Sequence, residues 1–299
     1  MQELIAILDQ NNIEYRLNEP MKAHTTFKIG GAADVYLVVR TVEELRLVIA
    51  ACRDAGVPWM ILGKGSNLLV SDDGIEGAVI APDGDFKSIE VDGSTVLCGA
   101  ALSLSKLCTV ACEHELAGLE FAYGIPGSVG GAVYMNAGAY GGEMKDVISE
   151  VTFMTPDGGI GTLTNAEARF GYRHSVFKEN ENIILFAKYQ LTPDAKENIL
   201  ARMDDCMTRR RTKQPLEYPS AGSVFKRPEG AFAGTLIEQC GLKGRSIGGA
   251  QVSEKHAGFI INTGGATCAD VLALVGLVQD IVLRQTGYRL ECEIIRTGR

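Results

Sequence analysis

The chain has 299 residues, 46% of them hydrophobic and 22% charged, a length that suits about two domains and a core large enough to need no disulfide or structural metal. Its net charge of −8 argues against a general nucleic-acid binder, which carries the opposite sign, and no apolar run reaches the ~18 residues of a membrane span. Glycine is the outlier, with 35 residues or about 12% of the chain against roughly 7% in ordinary proteins; with only nine prolines the chain is neither disordered nor collagen-like. Glycine at this level inside an apolar chain points to backbone lying close to a ligand, to many tight turns, or to both.

In chain order, residues 1–16 are predicted to form a short amphipathic helix on Leu4, Ile5 and Leu8. The start lacks a basic stretch followed by an apolar run and a cleavage site, so a cytoplasmic location is expected. Asp34–Val39 reads as a strand. Thr41-Val42-Glu43-Glu44 has capping-box spacing and opens a helix with Leu45, Val48, Ile49 and Cys52 on one face, stopped by Gly56 and Pro58. Trp59–Leu62 is a short apolar strand that runs into Gly63-Lys64-Gly65-Ser66-Asn67 and then into Leu68–Val70. Strands are predicted at 78–81 and 95–100, a helix at about 103–116, and strands at about 147–155 and 183–191. Between them, residues 123–142 hold seven glycines in 20 positions.

Pro193-Asp194 begins a change of character, and a boundary is expected near 192. A charged helix over about 195–213 ends in Arg209-Arg210-Arg211-Thr212-Lys213. Loops rich in Gly and Ser follow at 220–230 and 241–250. Thr267–Asp270 resembles a capping box with Asp at its last position. It opens a long helix carrying Val271, Leu274, Val275 and Val278 on an apolar face, closed by Gly287. A last strand is predicted at about 288–296, with Leu290, Cys292 and Ile294 on one face and Glu291 and Glu293 on the other. The eight cysteines form no C-x-x-C pair. Cys108 and Cys112 lie four apart on a predicted helix but at apolar positions, where a free thiol behaves as a small hydrophobe. No metal site is expected, and the cysteines are read as buried thiols of a reducing compartment.

Two segments carry the chemistry. Gly63–Asn67 follows an apolar strand, and its glycines leave consecutive backbone N–H groups free to point at an anion; an ordinary tight turn would look the same. Neither a Walker A loop nor a Gly-x-Gly-x-x-Gly fingerprint is present. Gly124–Gly142 has little side chain to pack and can lie flat against a large ligand. Together the two segments suggest a dinucleotide held by two small α+β subdomains. The Arg209–Gln214 cluster suits two phosphates, or simply offsets the dipole at a helix C-terminus.

The segments Ile61–Val70 and Gly124–Gly141, with Phe170-Gly171-Tyr172-Arg173-His174-Ser175, Ala221-Gly222-Ser223-Val224-Phe225-Lys226-Arg227-Pro228 and Leu290-Glu291-Cys292-Glu293, resemble the UDP-N-acetylenolpyruvoylglucosamine reductases, in their shorter second type. These belong to the flavoproteins with the vanillyl-alcohol-oxidase type of FAD domain. The resemblance runs from about 24 to 296. It implies an α+β chain: a two-subdomain FAD-binding module over 1–192 (subdomains about 1–76 and 77–192) and a substrate-binding domain over 193–299. It implies non-covalent FAD, NADPH as co-substrate, and conversion of an enolpyruvyl sugar nucleotide to UDP-N-acetylmuramate, a peptidoglycan precursor.

For the cofactor the resemblance implies Gly63, Lys64, Gly65, Ser66, Asn67, Gly124, Ile125, Pro126, Gly127, Ser128, Gly130, Gly131, Ala132, Asn136 and Gly138. For the sugar nucleotide, Arg210, Lys213, Gln214 and Lys226 are candidates. Hydride from flavin N5 to the vinyl carbon distal to the carboxylate leaves an enolate with nearly two negative charges, which needs cationic and hydrogen-bonding groups in place and then a proton. Arg173, permanently charged and able to grip a carboxylate with a planar fork, fits the first need. Alone, Glu293 reads as a solvated strand residue and Ser223 as a turn serine. The resemblance makes Glu293 the second stabilising group and Ser223 the proton donor. Other readings are a flavin oxidase of the same fold and a sugar-nucleotide sensor without FAD. The absence of His from 63–67 and 124–142 speaks against the covalent flavin common among such oxidases.

Overall fold

The computed structural model describes residues 1–299 and divides them into two compact units. The first comprises Met1–Arg16, Val35–Lys64 and Gly77–Thr208, the second Leu17–Asp34, Gly65–Glu76 and Arg209–Arg299. This division is not a linear cut. The early segments 17–34 and 65–76 join the C-terminal residues because Phe27, Ile29 and Leu69 are buried in the same core as Val271, Leu274 and Val278. The Leu68–Val70 strand pairs in parallel with Ile295–Thr297.

In the first unit, helices α1 (Gln2–Gln10) and α2 (Val42–Asp54) pack together. The capping signal of α2 is met, with Thr41 Oγ1 accepting from Glu44 N at 3.1 Å. Strand Ile75–Pro82 lies between Ala32–Val39 and Trp59–Ile61, parallel to the latter with Ile61 opposite Ile80. Leu4, Leu8, Leu37, Leu45, Ile49 and Ile80 fill the core of this layer. The predicted N-terminal helix is shorter than expected, and Tyr15 already belongs to a strand.

A second layer holds a five-stranded antiparallel sheet in the order Ile160–Thr164, Ile148–Met154, Ile183–Gln190, Thr95–Gly99, Ile89–Asp92. Helices α3 (Leu104–Glu113) and α4 (Val129–Met135) share its core through Leu104, Leu107, Val129, Ala132, Val133 and Tyr189. Helix α4 falls inside the glycine-rich stretch that the sequence reading takes as flat, irregular backbone. The charged helix α5 (Lys196–Lys213) follows.

The second unit carries a four-stranded sheet in the order Ser220–Ser223, Phe259–Asn262, Ala250–Val252, Ser246–Ile247, with helices α6 (Ala233–Gln239) and α7 (Cys268–Thr286). The Thr267/Asp270 capping box forms in both directions at 3.0 Å, and Gly287 closes α7 at φ +77°. Asp72 adds a cap from far in sequence. Its carboxylate accepts from Cys268 N at 2.7 Å and Ala269 N at 3.0 Å, which satisfies two otherwise orphaned donors.

All eight cysteines are free thiols; six are buried, but the expectation fails at Cys240, which is half-buried, and at Cys292, which is exposed. The predicted strand over 288–296 is interrupted there. Residues 291–293 instead pair with 224–226, through the Phe225–Cys292 bridge. No helix is long and apolar enough to cross a membrane.

Candidate active site

The first loop starts where strand Trp59–Ile61 ends. Leu62 N still donates to Ile80 O at 2.8 Å. Beyond it the main-chain N–H groups of Gly63 and Lys64, the last residues of this segment of the first unit, meet no acceptor in the chain. A Cβ on Gly63 would stand 2.6 Å from Ser128 Oγ, so any side chain here would have to displace that hydroxyl. In the second unit, the N–H groups of Gly65 and Ser66 are likewise without an acceptor. Gly65 is left-handed at φ +59°, where a Cβ would meet His24 O at 2.2 Å. Unpaired successive amides around a left-handed residue are the backbone arrangement that receives an anion such as a pyrophosphate. A cleft of about 160 Å³ opens beside Gly63, lined also by Tyr36, Lys64, Asp83, Lys87 and Ser128. Sites for whole ligands run to about 300–1,000 Å³, so this cleft suits one portion of a dinucleotide. Lys87 Nζ lies 2.6 Å from Asp83 Oδ1, and this contact holds the Asp83 carboxyl below its ordinary value.

The second glycine-rich stretch is spent differently. Gly127 N bonds to Ile125 O at 2.8 Å and Gly130 N to Ala100 O at 2.8 Å. Ser128, 2% exposed, caps α4 by accepting from Gly131 N at 3.4 Å. Ala132 is in the core. Gly124, Ile125, Pro126 and Gly138 keep some exposure. Asn136 is fully buried, with its side chain committed to Gly171, Glu143 and Lys145. The side chains of Ala132 and Asn136 are thus engaged within the protein, which leaves only their main chain for a cofactor.

Arg173 sits in the first unit at the tip of a two-residue turn, where Gly171 and His174 exchange main-chain bonds at 3.0 and 3.2 Å. Its φ is +53°, a region that costs residues other than glycine about 1–2 kcal/mol. The guanidinium stacks on the Tyr172 ring at 5.0 Å and reaches Gly138 O at 3.4 Å.

Ser223 and Glu293 both lie in the second unit. Ser223 pairs with Phe259 across the sheet. The next residue, Val224, accepts through its carbonyl from Glu293 N at 2.7 Å. Serine and glutamate therefore occupy adjacent positions of two paired segments. Asn67 secures the glutamate, its Nδ2 donating to Glu293 O at 3.1 Å while its own carbonyl accepts from Ile295 N at 2.9 Å. This was invisible in the sequence, where Asn67 is read as a cofactor contact.

The phosphate candidates divide. Lys213 is exposed, and Gln214 is half-buried with its N donating to Arg210 O at 2.8 Å. Arg210 is only 5% exposed and points part of its guanidinium at Gln214 Oε1 at 3.5 Å, so it does not present an open fork to phosphate. Lys226 Nζ is already partnered by Glu291 Oε2 at 3.2 Å. Glu291 is itself largely exposed, so this is a solvated surface pair. His256 accepts from Gly258 N at 3.1 Å through Nδ1, and burial lowers its proton affinity. The ring is structurally engaged, packed edge-on against Phe259 at 5.0 Å.

Residues 33–164 match the family model of an FAD binding domain, which makes this a flavoprotein of mixed α+β build. Residues 214–297 match the model of the UDP-N-acetylenolpyruvoylglucosamine reductase C-terminal domain. A UDP-N-acetylenolpyruvoylglucosamine reductase of Syntrophomonas wolfei is 49% identical over 283 residues, covering 95% of each chain. One of Caldanaerobacter subterraneus is 51% identical over 282 residues, covering 94% of this chain and 93% of the relative. The crystal structure of the Thermus caldophilus reductase aligns with TM-score 0.83 at 38% identity, covering 95% of this chain and 98% of that one. The chain belongs to the UDP-N-acetylenolpyruvoylglucosamine reductase family.

Proposed function

We propose that the protein reduces the enolpyruvyl group of UDP-N-acetyl-3-O-(1-carboxyvinyl)-glucosamine to give UDP-N-acetylmuramate in the cytoplasm, with FAD as bound cofactor and NADPH as co-substrate. The observation that carries this reading is the full-length similarity to reductases of this name. The site chemistry above supports it. FAD fits the residues present: unpaired amides of the first loop suit its pyrophosphate, and Gly63 leaves the room a side chain would fill. We assign FAD to Gly63, Lys64, Gly65 and Ser66, with Gly124–Gly127 and Gly131 supplying close backbone, in a module made mainly of residues before about 192. Residues after 193 are assigned to the sugar nucleotide, with Lys213 and Gln214 toward its phosphates. When bound, FAD supplies two-electron reducing power drawn from NADPH.

The chain's own groups then have three tasks. Arg173 binds the substrate carboxylate and stabilises negative charge that develops beside it, because its guanidinium stays charged at any working pH. Glu293, in its carboxylic-acid form, donates a hydrogen bond to the developing enolate, from a backbone pinned by Val224 and Asn67. Ser223 Oγ gives its proton to the carbon that carries the negative charge. A hydroxyl is a weak acid, but a carbon base of this kind is strong enough to take its proton. Ser223→Ala tests the assignment. Reduction of the enzyme by NADPH is expected to remain near wild-type rate, while reoxidation by the enolpyruvyl substrate slows by about 10²–10⁴-fold, the usual worth of a positioned proton donor. Wild-type rates in both half-reactions would remove Ser223 from the mechanism.

A further inference from the structure

We infer that Asn136 is a positioning residue for Arg173, fixing the turn that carries the guanidinium; this rests on the reading of Arg173 as the group that grips the substrate carboxylate. Asn136 closes α4 in a left-handed conformation, φ +42°, and has no exposed surface. Its Nδ2 donates to Gly171 O at 2.8 Å and to Glu143 Oε2 at 2.7 Å. Its Oδ1 accepts from Lys145 N at 2.9 Å. Both amide hydrogens and the carbonyl are therefore used within the protein.

Gly171 is the first residue of the turn that presents Arg173. Two more tethers run from the same region to the end of α4 or to the turn itself. Ser175 Oγ donates to Tyr134 O at 2.8 Å, and Lys178 Nζ donates to Arg173 O at 3.2 Å. A turn with a side-chain-bearing residue at φ +53° relaxes toward ordinary backbone unless its surroundings hold it. Relaxation would redirect a planar fork whose grip on a carboxylate depends on orientation. Asn136 bonds to the turn at Gly171 and to the 143–145 segment at the same time, so it fixes the turn against two elements rather than one.

The test uses holoenzyme and two ligands that differ in a carboxylate. UDP-N-acetylmuramate carries the carboxylate that Arg173 would hold, and UDP-N-acetylglucosamine lacks it. Asn136→Gly keeps the left-handed backbone accessible and removes only the amide. Affinity for UDP-N-acetylmuramate is expected to fall about 10-fold or more, as for a misplaced positioning contact, while affinity for UDP-N-acetylglucosamine stays within about 2-fold. In an Arg173→Ala background the extra loss should disappear, since the two residues act as one unit. A merely structural asparagine would weaken both ligands together, or add its loss in both backgrounds, and either result overturns the inference. Should Asn136→Gly not fold, Asn136→Ser adds no charge, is too short to keep the bond to Gly171 O, and is read by the same ligand pair. If Arg173→Ala itself leaves UDP-N-acetylmuramate binding and turnover unchanged, the reading of Arg173 fails, and this inference with it. If Arg173→Ala weakens binding and the Asn136 variants do not, only the inference fails.

Discussion

Gly63-Lys64 ends an apolar strand with two main-chain N–H groups that meet no acceptor, whereas Gly127, Gly130 and Gly131, just as rich in glycine, direct theirs to Ile125 O, Ala100 O and Ser128 Oγ. In the first segment glycine exposes backbone. In the second it allows close packing, with a Cβ on Gly130 set to fall 2.9 Å from Ala100 Cβ and one on Gly142 2.5 Å from the Phe121 ring. The two meet where Gly63 lies against Ser128. Composition alone does not separate a ligand loop from a tightly packed corner; the fate of the amides does.

Substitutions should separate the two roles. The largest effect is expected from Gly130→Ala, which pushes a methyl into Ala100 and should lower unfolding stability by about 1–3 kcal/mol, the usual cost of overpacking; FAD affinity of the folded fraction should change little. Ser128→Ala comes next, costing about 1 kcal/mol through loss of the α4 cap, and denaturant melts of both variants measure this order. Gly63→Ala should cost no more than the cap itself, about 1 kcal/mol, because the nearest atom is the Ser128 hydroxyl, which can turn away at the expense of its bond to Gly131 N. It should weaken FAD instead, and Ser128→Ala in the same chain should restore part of the loss. If Gly63→Ala were as destabilising as Gly130→Ala and left FAD affinity untouched, the distinction between the segments would break.

The smallest effect is one of pH. Lys87 holds the Asp83 carboxyl low, so the folded state favours its charged form. That contribution is present above the unfolded carboxyl's pKa of about 3.9 and is lost as pH falls through the lower folded value. Asp83→Asn should flatten the acid limb of the stability curve only below about pH 4, and only slightly, since both side chains are nearly half exposed.

Much of the fold is written in local signals. The Thr41 and Thr267 caps, the Gly287 stop and the apolar faces of α2, α3 and α7 all fall where periodicity and capping chemistry put them. The strands Ile89–Asp92, Ile160–Thr164 and Phe259–Asn262 were not foreseen, and two further cases show why elements escape. Helix α4 hides in glycines, which have low helix propensity, and is held by packing and by the Ser128 and Asn136 ends. The strands Ser246–Ile247 and Ala250–Val252 lie in a stretch whose Gly and Ser content reads as loop.

Site residues were legible as motifs, but their tasks were not. Asn67 and Asn136 sit inside the glycine motifs, yet each side chain ends on a carbonyl far along the chain, at Glu293 and at Gly171. Contacts of this range leave no spacing to read. At Asn136 the one available hint was asparagine itself, the residue after glycine that best tolerates a left-handed helix end. Lys226 and Glu291 were read separately, and only the pairing of 224–226 with 291–293 shows that they neutralise each other.

The central claim is that this chain passes electrons from NADPH through FAD to an enolpyruvyl sugar nucleotide. The most direct test is the anaerobic visible spectrum of the holoprotein, recorded before and after NADPH and again after the substrate. The account predicts oxidised-flavin absorbance, bleaching on NADPH, and full return on the enolpyruvyl compound without oxygen. A protein that cannot be reconstituted with FAD, or one that bleaches and recovers only when air is admitted, would contradict it.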